Sequence, residues 1–96
     1  MERLTPGQRE LLDLMIELTQ EYGHFPGENR IAQELDADRC IQQLKSMAKK
    51  GYVEQCGPRG PWKPLMDHRG FSLIWEFDGG IVSVHLRGPA GIKYKL

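Results

Sequence analysis

Five polar residues on one predicted helix carry the clearest chemistry in this sequence: Arg39, Gln42, Gln43, Ser46 and Lys49. All lie off the apolar stripe of Cys40, Ile41, Leu44, Met47 and Ala48, so they are expected on the helix's exposed face. Their side chains suit the base edges and backbone of a nucleic acid. A guanidinium can bond guanine O6 and N7 as a fork, a glutamine amide can bond adenine N6 and N7, and serine and lysine can hold phosphates. The same residues would also make an ordinary solvated face, and Glu34, Asp36 and Asp38 close by would repel phosphate.

A second group follows in residues 57–70, where Arg59, Lys63, His68 and Arg69 accompany Trp62. A cationic loop beside the helix would reach the backbone or minor groove, and Trp62 is expected to pack as the apolar anchor of so long a loop. Other chemistry is thinly represented. His24, His68, His85, Cys40 and Cys56 show no metal-ligand spacing, no nucleophile sits in a recognised motif, and 57–60 reads as a turn, not a phosphate cradle. No enzyme, cofactor or metal is therefore expected.

The elements that must position these groups are signalled locally. Thr5, Pro6 and Gln8 are an N-cap, a first-turn proline and a capping-box partner, which open a helix at Pro6. Leu11, Leu12, Met15, Ile16 and Leu18 give it an apolar face, Gln8, Arg9, Glu10, Asp13 and Glu17 are expected on the other side, and Gly23 stops it. Pro26 forces a loop in which Phe25 plugs the core. A second helix from Asn29 buries Ile31, Ala32 and Leu35; Asp36 and Asp38 are suited to capping the third, which ends at Gly51. Residues 52–56 form a short strand. The stretch 57–70, with three prolines and three glycines, is expected to be a long loop without regular structure. Strict alternation over 71–77 places Phe71, Leu73, Trp75 and Phe77 on one face, and 81–87 buries Val82, Val84 and Leu86 beyond an Asp78-Gly79-Gly80 turn. Residues 92–96 add an edge strand.

The fold class is thus α+β: a winged helix-turn-helix of three N-terminal helices followed by an antiparallel β-meander with a long wing loop. We read residues 1–96 as a single domain, with the helix-turn-helix core at 5–51 and the wing and β-meander at 52–96. Charge is uneven within a net of zero: residues 1–56 carry 7 basic against 10 acidic side chains, and 57–96 carry 6 against 3. The two cysteines read as reduced thiols of a cytoplasmic protein, and no apolar run approaches the roughly 18–20 residues of a membrane span.

At this point a family resemblance is visible over residues 4–55. Leu4-Thr5 with Gln8, Pro26, Ile31-Ala32-Gln33 with Leu35, and Leu44-Lys45 through Ala48-Lys49-Lys50-Gly51 with Val53-Glu54 resemble the DNA-binding domain of LexA-type repressors and, more loosely, MarR-type regulators. Only eight residues separate Leu35 from Leu44, fewer than those families usually have, and the strands after residue 55 lie outside the resemblance. It implies a bacterial or phage repressor that binds double-stranded DNA; from the residues themselves the expected contacts are Arg39, Gln42, Gln43, Ser46 and Lys49 on the helix face and Arg59, Lys63 and Arg69 on the basic loop, and a module this small is expected to act as a homodimer. The alternative is a winged-helix module that binds a protein partner instead, as a small inhibitor or adaptor.

Overall fold

The computed structural model describes residues 3–34, 37–79, 81–87 and 93–95, with the backbone alone at 37–39, 81 and 93–95. Helix α1 (Pro6–Tyr22) opens on the full capping box: Gln8 N–H donates to Thr5 Oγ1, and Thr5 N–H donates to the Gln8 side chain. It closes on Gly23, left-handed at φ 77°, whose N–H donates to Thr19 O. The expected apolar face is buried. Gln8 departs from the expectation, being 3% exposed and turned inward with the core side chains.

Helix α2 (Glu28–Glu34) buries Ile31, and helix α3 (Ala37–Lys49) buries Cys40, Leu44 and Met47. Only positions 35 and 36 separate them; the expected roles of Leu35, Asp36 and the Asp38 side chain fall outside the described residues. Ile41 was expected on the apolar stripe but is 41% exposed. The helix rotates about 100° per residue, which sets position 41 some 60–120° from positions 40, 44 and 47, at the rim of the buried arc. Gly51, at φ 89°, ends α3 with both bonds of a Schellman turn: Gly51 N–H to Ala48 O and Tyr52 N–H to Met47 O.

The segment 57–70 is not a structureless loop. Strand β1 (Val53–Gln55) pairs antiparallel with β2 (Trp62–Pro64) in the register Val53↔Pro64, Glu54↔Lys63 and Gln55↔Trp62, leaving only 56–61 as the wing tip. Proline density misleads here. Leu65 N–H points inward to Tyr52 O, so Pro64 occupies an alternate position whose N–H would point away from β1 and is not missed. Residues 66–72 then close a second tight loop through the Met66↔Ser72 bridge, around an Asp67 carboxylate that accepts from the N–H groups of Arg69 and Phe71.

Strands β3 (Ser72–Asp78), β4 (Ile81–Arg87) and β5 (Lys93–Lys95) form a second antiparallel sheet in that order. The meander is therefore split between two sheets. Leu73 faces Leu86, Trp75 faces Val84 and Phe77 faces Val82, as the alternation requires. Leu73, Val84 and Leu86 join the buried cluster with α1 and α3, while Phe77, at the far end of the hairpin, is 47% exposed. Phe25 is half-buried and meets this hairpin edge-on, 5.6 Å from the Trp75 ring and 5.3 Å from Phe77.

Candidate nucleic-acid interface

Helix α3 presents Gln42, Lys45 and Lys49 to solvent, with Ile41 at the edge of the same face. Spacings of three and four put the three polar residues in one stripe. Gln43 and Ser46, expected on that face, are half-buried and turned toward α1. The Gln8 amide nitrogen donates to Gln43 Oε1 at 2.8 Å and to Ser46 Oγ at 3.2 Å, while Gln8 Oε1 accepts from Lys50 Nζ at 2.9 Å. One buried glutamine thus clamps the start of α1 to the side of α3. The Arg39 side chain lies outside the described residues.

Lys45 is not among the residues singled out from the sequence, yet its spacing from Gln42 and Lys49 puts it on the same exposed stripe. Exclusion from the apolar stripe does not separate Gln43 and Ser46 from solvent-facing residues, because it carries no information on the flank that a neighbouring helix covers. Which flank that is depends on how α1 docks.

The expected basic loop divides in two. Arg59 stands exposed at the wing tip in a left-handed conformation, φ 58°, between Gly57 and Gly60. Lys63 sits half-buried on β2 across from Glu54, with its ammonium 5.9 Å from the Phe25 ring. Trp62 beneath them is buried as expected; its indole N–H donates to Glu28 Oε1 at 3.3 Å, and its backbone N–H donates to Pro26 O. That pair of bonds ties the wing to the entrance of α2.

Arg69 is elsewhere, on the 66–72 loop. Its Nε and Nη2 both lie 2.9 Å from Asp67 Oδ2, and its guanidinium carbon sits 4.8 Å over the Phe71 ring. His68 beside it approaches Asp13 of α1 at 3.8 Å. Cys40, buried between α3 and its neighbours, has its thiol pushed up by burial and, secondarily, by the charge of Glu28; it is a core side chain, while Cys56 is exposed.

These pieces amount to an exposed polar and cationic helix face with a glycine-flanked arginine at a wing tip. The arrangement can offer donors to base edges and positive charge to phosphates. No curated protein matches the chain. The family model described as LexA DNA binding domain matches residues 1–60, from before α1 through the three helices and β1 to the wing tip. Since that match covers more than half of the sequence, the chain belongs to the LexA DNA-binding domain family and is a DNA-binding transcription regulator.

Proposed function

We propose that the protein is a sequence-specific repressor of bacterial or phage origin, acting in the cytoplasm as a homodimer, with α3 in the major groove and the wing on the backbone. The observation that carries this reading is the solvent-facing stripe of Gln42, Lys45 and Lys49 on the third helix of a LexA-family chain. Gln42 has the amide to read adenine, Lys45 and Lys49 supply phosphate or guanine contacts, and Arg39 and Arg59 extend the set at either side. Lys63 contributes charge at the base of the wing. Gln43 and Ser46, held by Gln8, serve chiefly to fix the seat of α3, and Arg69, held by Asp67 on the 66–72 loop, stands apart from the DNA-contacting set. Pairing of two copies on a palindromic site supplies the affinity that one such module lacks. The whole chain acts as a single domain.

A salt titration of duplex binding, read by fluorescence anisotropy, tests this. The slope of log affinity against log salt should fall by about one for Lys45→Ala and again for Lys49→Ala, whereas Gln42→Ala should cost about 1–3 kcal/mol at its preferred site and relax the base preference there. Affinity indifferent to salt and to all three changes would overturn it. Ile41 favours a second reading, since an exposed isoleucine on α3 suits a protein partner as well as a thymine methyl. On that reading Ile41→Ala abolishes capture of a protein partner and duplex binding is absent.

A further inference from the structure

A cleft of about 560 Å³ opens between the start of α1 and the 66–72 loop, lined by Arg3, Leu4, Pro6, Arg9, Tyr52, His68 and Arg69. We propose that it binds a small organic phosphate, of the size and charge of a nucleoside monophosphate, at a place separate from the DNA-reading stripe. None of Gln42, Lys45, Lys49 and Arg59 lines it.

The charge inventory is specific. Three arginines line it from three segments: the chain before α1, the first turns of α1, and the loop after β2. Arg69 is offset by Asp67, which takes its Nε–Nη2 edge and leaves Nη1 outside that ion pair. Arg3 and Arg9 form no ion pair among the described residues, so about two positive charges stay uncompensated, matching a phosphate dianion. His68 leans toward Asp13, and neither Asp13 nor Asp67, the partner of Arg69, lines this cleft. Among the described residues no carboxylate lines the cavity, in a chain whose net charge is zero.

Its other walls are apolar. Leu4 and Tyr52 are buried and Pro6 closes the rim, which gives a ligand's non-phosphate part a surface to pack on; the volume falls in the usual range for small-molecule sites, about 300–1,000 Å³. A guanidinium fork fits carboxylate and phosphate alike, but donors on separate segments can meet oxygens that point in different directions, which a tetrahedral oxyanion offers and a single planar carboxylate does not. Tyr52 follows directly on the glycine that ends α3, and Lys50 at the end of α3 donates to Arg3 O, so an occupant would touch both α1 and the exit of α3. His68 and Arg69 come from beyond the 1–60 family match, so two of the four basic side chains in the lining belong to this chain's own extension.

The test is an amide NMR titration of the full 96-residue chain, without DNA, using AMP, inorganic phosphate and citrate. AMP and phosphate should produce saturable shifts at residues 3–9, 52 and 67–70, with citrate at least about tenfold weaker. Arg9→Gln should weaken AMP at least about tenfold while the rest of the spectrum stays in place, and Arg3→Gln, on the segment before α1, should do the same if the α1 variant proves unfolded. No saturable shift up to about 10 mM AMP, equal response to citrate, or shifts confined to other residues would each overturn the proposal. So would duplex DNA alone shifting these amides, since the cleft would then be part of the DNA footprint. Loss of DNA binding leaves these readouts untouched.

Discussion

Replacing Gln8 with alanine should loosen the seat of α3 on α1 without altering any exposed residue. Four hydrogen bonds pass through its side chain: Oε1 accepts from Thr5 N–H and Lys50 Nζ, and Nε2 donates to Gln43 Oε1 and Ser46 Oγ. At about 0.5–1.5 kcal/mol each the nominal loss is about 2–6 kcal/mol. Gln43, Ser46 and Lys50 are only half-buried and regain water on truncation, so the low end applies, about 2 kcal/mol. A domain of this size loses roughly 4–8 °C per kcal/mol, hence a fall in Tm of roughly 8–16 °C by thermal circular dichroism. Gln8→Glu separates the two halves of the clamp. A carboxylate still accepts from Thr5 and Lys50 but cannot donate to Gln43 and Ser46, so it should fall between wild type and Gln8→Ala near neutral pH. A Gln8→Ala protein melting within about 3 °C of wild type would refute the clamp and return Gln43 and Ser46 to the DNA-facing set.

Two further outcomes follow from single positions. A Cβ on Gly60 would stand 1.9 Å from Cys56 O and 2.7 Å from Cys56 C, backbone atoms with no freedom to move aside, so Gly60→Ala should open the wing tip and weaken duplex binding while the far-ultraviolet helix signal is kept. The raised Cys40 thiol makes stability fall at alkaline pH: it is full below the unfolded thiol value of about 8.5 and is lost as pH rises toward the higher folded value. Urea melts at pH 7 and above 9 should show that loss in wild type and less of it in Cys40→Val. In the native state near pH 8 an alkylating reagent should label exposed Cys56 and spare Cys40.

What the sequence discloses here is whatever is decided locally. Thr5, Pro6 and Gln8 specify the start of α1, Gly23 and Gly51 specify helix ends, and the alternating stretch 81–87 has the bounds of β4, with Val84 and Leu86 buried and Val82 half-buried, because caps and strand faces depend on neighbours a few residues away. Strand β2 was illegible for the opposite reason: Trp-Lys-Pro has little strand character alone and is held by pairing to Val53–Gln55. The candidate site divides the same way. Gln42 and Lys49 could be placed from helical period, but the inward turn of Gln43 and Ser46 depends on a residue 35 or 38 positions earlier. Arg69 likewise looks like a free cation until its carboxylate partner two residues before it folds underneath.

Trp62 has a bearing on how such a chain could be cut or recombined. It lies just past the 1–60 match, yet its amide and indole are both fastened to the junction of α1 and α2, and Leu73, Val84 and Leu86 beyond it fill the cavity wall behind the first helix. The boundary of inherited sequence and the boundary of the folding unit therefore fall in different places. A fragment ending at residue 60 would leave the first helix bare on that side and is expected to aggregate. For the same reason, grafting another family member's reading head onto this extension would require exchanging the Pro26–Glu28 contacts together with the tryptophan they receive.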